Sequence, residues 1–132
     1  MAPVGIDLPS GLNADNGEAP DGCVTADLTI TVVDPHRPGH ELNYYPGEVN
    51  LRRADVVIIN KIDSADLAGI ETVRANIAKV NPAAKVIDAA STLRLENPTL
   101  VDGKRVLVIE DGPTLTHGGM KIGAGVVAAR KY

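Results

Sequence analysis

Residues 56–63 read Val-Val-Ile-Ile-Asn-Lys-Ile-Asp, four β-branched apolar residues running directly into a polar end. An uninterrupted apolar run of that length predicts a strand buried on both faces, as in parallel sheets covered by helices. In open sheets of that kind ligands bind beyond the carboxyl ends of the strands, so Asn60, Lys61 and Asp63 leave the strand where a ligand is expected. Their chemistry suits a purine. Asp63 can accept from the N1 and N2 donors of guanine, the stem of Lys61 can cover the ring face, and the Asn60 amide can tie neighbouring loops together. Adenine has an acceptor at N1 and no amino group at C2, so a buried carboxylate would face the wrong partner. Asn-Lys-x-Asp fixes only three letters, however, and a polar turn after a strand is the competing reading.

The remaining pattern extends the same architecture. Residues 4–7 predict a strand closed by Pro9-Ser10-Gly11, residues 28–33 a strand of alternating β-branched residues, and residues 85–91 and 105–109 two more. Ser64 is the expected N-cap of a helix in which Leu67, Ile70, Val73, Ile77 and Val80 keep the helical apolar period up to Asn81-Pro82. A second helix is expected from Gly123 to Tyr132, whereas residues 34–45, with two prolines and a glycine, read as a loop rather than an element. Strands alternating with helices predict an α/β fold, a mostly parallel sheet flanked by helices, as one domain over residues 1–132. In G-domains a Ser-Ala type loop after the next strand donates a backbone N–H to the guanine carbonyl. Ala89, Ala90 and Ser91 stand at that place, with Ala90 the expected donor.

Two other loops carry candidate chemistry. Asp34-Pro35-His36-Arg37-Pro38-Gly39-His40-Glu41 leaves the 28–33 strand on the same expected rim. Arg37 can hold a phosphate or carboxylate bidentately, and His36 or His40 can move a proton near neutral pH; incidental turn residues are the alternative. Pro38 and Gly39 break any helix between the two histidines, so they form no facial metal pair. Residues 110–119 are glycine-rich, which lets backbone N–H groups approach an anion, and the helix expected near Gly123 would add its positive end. Glu110 and Asp111 can ligate magnesium or be solvated loop charges.

Composition narrows the partners. The 132 residues contain no Phe, no Trp and three Tyr, so a core must be built from Val, Ile, Leu and Ala. A net charge of -4 with scattered basic residues gives no nucleic-acid surface. The single cysteine, Cys23, leaves no intramolecular disulfide. With no apolar stretch near the roughly 18 residues of a membrane span and no signal-peptide pattern, a cytoplasmic protein without a membrane partner is the expectation.

Three segments carry a family resemblance. Val32-Val33-Asp34-Pro35-His36-Arg37-Pro38-Gly39-His40-Glu41, Tyr44-Tyr45-Pro46-Gly47-Glu48-Val49-Asn50-Leu51-Arg52 and Glu110-Asp111-Gly112-Pro113-Thr114-Leu115-Thr116-His117-Gly118 resemble the cyclic 2,3-diphosphoglycerate synthetase family, over about residues 27–131. The resemblance implies a P-loop NTPase-like, Rossmann-like domain that uses a nucleotide, ATP or GTP, with Mg2+ to close 2,3-diphosphoglycerate by an intramolecular phosphoanhydride. It implies that Asn60, Lys61, Asp63 and Ala90 hold the base and that His36, Arg37 and His40 face the small phosphorylated substrate. Asp111, Thr114, Thr116, His117 and Gly118 would line the opposite side, with magnesium on Asp111 and Glu110. Relatives carry a glutamate where this chain has Gly119. No stretch matches the G-x-x-x-x-G-K-[ST] phosphate loop, which in the family lies upstream of the matched region. The expectation is therefore an incomplete domain, inactive alone, whose open sheet edges favour a homo-oligomer.

Residues 1–31 resemble another family. Gly5-Ile6-Asp7-Leu8-Pro9-Ser10-Gly11-Leu12-Asn13-Ala14-Asp15-Asn16-Gly17-Glu18 is similar to the Asp-x-Pro-Ser-Gly segment of NAD(P)H-hydrate epimerases, which implies an active-site role for Asp7. An epimerase-like segment over 1–31 followed by a synthetase-like segment over 32–132 is the corresponding division. A noncatalytic GTP-binding or interface module is the third reading.

Overall fold

The computed structural model describes residues 4–6, 13, 18, 20–23, 26–43, 47–110 and 122–132. The chain forms two compact units, Met1–Ser91 and Thr92–Tyr132.

The first unit is built on a four-stranded sheet in the order β1 (Val4–Ile6), β2 (Leu28–Val33), β3 (Val56–Ile59), β4 (Lys85–Asp88). All three pairings are parallel, with Ile6 opposite Ile30, Val33 opposite Ile59 and Ile59 opposite Asp88. Parallel neighbours require crossovers, and helices supply two of them. Helices α1 (His40–Asn43) and α2 (Gly47–Arg53) lie between β2 and β3, and α3 (Leu67–Val80) lies between β3 and β4. The expected α/β class with a parallel sheet and flanking helices is what the chain adopts.

One face of the sheet carries the core. Val33, Val57 and Ile59 point to it and pack with Leu51 and Ala54 from the α2 side and with Val73 and Ile77 of α3. The opposite face is thinner: Val32 is 45% exposed and Ile87 41%, so the β-branched strands are not sealed on both sides within this unit. Along α3 the apolar period delivers Val73 and Ile77 to the core, but Leu67 at its start is 73% exposed.

Two local expectations change. The cap of α3 is Asp66 and not Ser64, because the Asp66 carboxylate accepts the Gly69 N–H at 2.6 Å. Residues 34–45 are not wholly loop, since His40–Asn43 makes one helical turn as α1. Its Glu41 is buried and accepts from Gly39 N–H at 2.9 Å and from the Asn76 amide at 2.6 Å, long-range support that local pattern does not display. α2 ends against Asn81, whose amide donates to the carbonyls of Leu51 at 2.9 Å and Ala54 at 2.8 Å, closing groups a helix end leaves open.

In the second unit a short 3₁₀ turn, Pro98–Leu100, precedes α4 (Ala124–Lys131). The strand expected at residues 105–109 does not form: residues 105–110 belong to no ladder, and Leu107 is 89% exposed and Ile109 86%. Apolar composition supplies a side-chain face but no backbone partner, and a strand needs both. Among the described residues no helix is long and apolar enough to cross a membrane.

Candidate functional site

Because β2, β3 and β4 are parallel, the residues that follow them emerge on one rim. Three backbone bonds knit these exits together: Asn60 N–H to the Val33 carbonyl at 3.0 Å, Ile62 N–H to Ala89 O at 3.2 Å, and Ala89 N–H to Ile59 O at 2.8 Å. The juxtaposition expected of Asn60 to Asp63, Ala90 and residues 34–41 is therefore present.

Within the β3 exit, Lys61 takes φ 58°, the left-handed region that side chains seldom adopt. Its ammonium reaches back to Asp34 at the β2 exit, with Nζ 2.6 Å from Oδ2. Asp63 is exposed, and its Oδ1 accepts the Ser91 backbone N–H at 3.0 Å, which fixes the carboxylate against the β4 exit. Asn60 is half-buried, and Ala90 is exposed beside Ser91.

Asp34 organises the β2 exit. Its Oδ1 accepts the His36 N–H at 3.0 Å and its carbonyl accepts the Arg37 N–H at 3.0 Å, so residues 34–37 form a tight turn. Partial burial pushes the Asp34 carboxyl upward. The hydrogen bonds from Lys61 and His36, together with the Lys61 and His36 charges, outweigh it and hold the group below its ordinary value. His36 is exposed, with Nε2 3.0 Å from the Ser64 hydroxyl, and His40 is exposed at the start of α1. Arg37 is half-buried, and no side-chain hydrogen bond or ion pair engages it among the described residues. Beside this turn a cleft of about 250 Å³ is lined by Pro35, His36, Pro38, Asp66, Gly69 and Thr72. That is below the roughly 300–1,000 Å³ of small-molecule pockets and suits a fragment of a ligand. Gly69 allows the approach of α3 to the turn: a Cβ there would collide with the Pro35 carbonyl oxygen and sit 2.8 Å from the Asp66 carboxylate.

Glu110 belongs to the second unit. Its Oε2 accepts the Gly123 N–H at 2.8 Å and its Oε1 the Val126 N–H at 3.0 Å, so the carboxylate closes the N-terminus of α4. The positive end of that helix is thus met by the chain's own anion. The Val126 N–H bond is the main cause that holds Glu110 below its ordinary value; desolvation opposes it, and the N–H groups of Gly123 and Gly125 add to it. Asp7, Asp111, Thr114, Thr116, His117 and Gly118 lie outside the described residues. Among the described residues no group of three or more His, Cys, Asp or Glu is placed to hold a metal ion. Both Glu110 oxygens are committed to helix N–H groups, which does not fit a magnesium ligand.

Two rim residues escape sequence reading. Asp34 registers in the sequence only as the first residue of an Asp-Pro turn, and Ser64 as a cap; their partners are 27 and 28 residues away.

The family described as CobW/HypB/UreG, nucleotide-binding domain, matches residues 4–88. Arginine synthetase ArcE of Thermococcus kodakarensis is 66% identical over 106 residues, which are 80% of this chain and 24% of that protein. A bifunctional NAD(P)H-hydrate repair enzyme of Leishmania braziliensis is 29% identical over 126 residues, 84% of this chain and 22% of that protein. The chain thus spans about a quarter of the length of these relatives. The crystal structure of the hydrogenase maturation factor HypB from Archaeoglobus fulgidus aligns with a TM-score of 0.39 and 24% identity, covering 49% of this chain and 35% of that one.

Proposed function

Because the chain belongs to the CobW/HypB/UreG nucleotide-binding domain family, we propose that its rim binds a guanine nucleotide and that this site serves a nucleotide-dependent synthetase. The observation that carries the base assignment is Asp63, an acceptor-only carboxylate held by the Ser91 N–H at the carboxyl end of the sheet. Guanine offers two adjacent donors to such a group, and adenine offers none in that place. Asn60 joins the β3 exit to the β2 exit, the Lys61 stem covers the base, and the Ala90 N–H meets the guanine carbonyl. Arg37 is the cation available for a phosphate or carboxylate, with His36 and His40 beside it to carry a proton.

For the reaction, the 66% identity with a protein named arginine synthetase favours arginine as the product. The three segments similar to cyclic 2,3-diphosphoglycerate synthetases support 2,3-diphosphoglycerate as the alternative substrate. In either reading the nucleotide bound at the rim would be the activating reagent, where catalysis is chiefly positioning of charge. The match to a hydrate repair enzyme supports an epimerase-like reading around Asp7.

Ligands that bind only the native state raise the unfolding midpoint. Thermal unfolding with magnesium and GDP, ADP or neither is expected to show a rise with GDP alone; a rise with ADP alone would overturn the base assignment. Adding arginine or 2,3-diphosphoglycerate to the GDP sample then separates the two synthetase readings by which one raises the midpoint further. Turnover of hydrated NADH that is lost in Asp7→Ala would favour the epimerase reading instead.

A further inference from the structure

Asp34 links the base loop to the cationic turn. Its Oδ2 holds the Lys61 ammonium at 2.6 Å while its Oδ1 holds the His36 N–H at 3.0 Å, so both oxygens are committed. Lys61 is also the only non-glycine residue with a positive φ among the described residues. Such a conformation persists only where the surroundings over-determine it. Here the backbone is fixed on either side, by Asn60 N–H on Val33 O and Ile62 N–H on Ala89 O, and Asp34 fixes the tip of the side chain. A lysine whose ammonium is neutralised in this way contributes its stem and not its charge. Among the described residues Arg37, which no side-chain hydrogen bond or ion pair engages, then remains as a cation for an anionic group on this rim.

We infer that Asp34 is a positioning residue for base recognition, anchoring Lys61 so that its stem forms one wall of the base site and its backbone presents Asp63. This rests on the proposed guanine site. In this role Asp34 acts through Lys61.

Calorimetric titration of GDP onto the chain, as wild type, Asp34→Asn, Lys61→Met and the double variant, gives a double-mutant cycle. Asp34→Asn is expected to weaken GDP about ten-fold in the wild-type background and less than about two-fold once Lys61 is Met. Equal losses in both backgrounds would mean a general structural role and would overturn the inference. A second readout needs no nucleotide. The Lys61 ammonium signal in 15N NMR is expected to be visible in the wild type, slowed in exchange by the ion pair, and lost in Asp34→Asn. If the wild type binds no GDP, the guanine reading fails by itself. The ammonium signal then decides the anchor: persistence only with Asp34 supports it, and no protected signal in the wild type overturns it.

Discussion

Two apolar runs of nearly the same composition meet opposite fates. Val56–Ile59 becomes β3, with Val57 and Ile59 fully buried, while residues 106–109, Val-Leu-Val-Ile, belong to no ladder and leave Leu107 and Ile109 almost wholly in solvent. Hydrophobicity is common to both. The difference is a backbone partner: β3 is paired on both sides, to β2 and β4. Carboxylates divide in the same way. Asp34 and Asp63 bridge separate strand exits in the first unit, whereas Glu110 closes the end of a helix in its own unit. Burial and bridging are properties of the assembled sheet, and the first unit has them.

Substitutions can break or sharpen this contrast. The largest effect is expected at Ile59, where truncation to Ala removes a fully buried side chain and costs about 3 kcal/mol in urea unfolding. Ile109→Ala is expected to stay within about 0.5 kcal/mol, and equal losses at the two positions would erase the contrast. Gly69→Ala comes next, at about 2 kcal/mol, because its new methyl meets the Pro35 carbonyl and must push α3 from the turn.

Asp34→Asn is expected to cost about 1 kcal/mol at neutral pH, discounted because both partners remain about one-third exposed. The Asp34 pKa is lowered in the folded chain, so its contribution is complete above the unfolded value of about 3.9 and fades as pH falls through the folded one. The stability difference between wild type and Asp34→Asn should therefore shrink in acid as pH falls through the folded value; a difference that does not fall in acid would assign it to another group. The smallest effect is local. In Glu110→Ala the Gly123 and Val126 amides lose their acceptor, and their hydrogen exchange is expected to quicken with little change in the first unit.

How much of this was legible depends on the range of the interactions. The strands at Val4–Ile6, Leu28–Val33 and Lys85–Asp88, the last shorter than the expected 85–91, and the helix ending before Asn81 follow from local pattern, and the parallel order follows from their alternation with helices. The gathering of Asn60, Lys61, Asp63 and the 34–41 loop on one rim was likewise legible, because strand ends in a parallel sheet share a side. What local pattern did not carry was set by partners far along the chain. Glu41 holds α1 through Asn76, Asp34 pairs with Lys61, and Asp66 replaces Ser64 as the cap while Ser64 meets His36. Residues 105–109 mislead for the complementary reason, since composition promises a strand and no ladder among the described residues receives it.

The central claim, that Asp63 reads a guanine base, is tested most directly by titrating GDP and xanthosine diphosphate onto the wild type and Asp63→Asn. Asparagine keeps the shape of the side chain but adds a donor, and xanthine replaces the guanine amino group with a carbonyl acceptor. The expected result is that the wild type prefers GDP and the variant prefers xanthosine diphosphate. Equal affinities of both proteins for both ligands, or a wild type that binds neither, would contradict it.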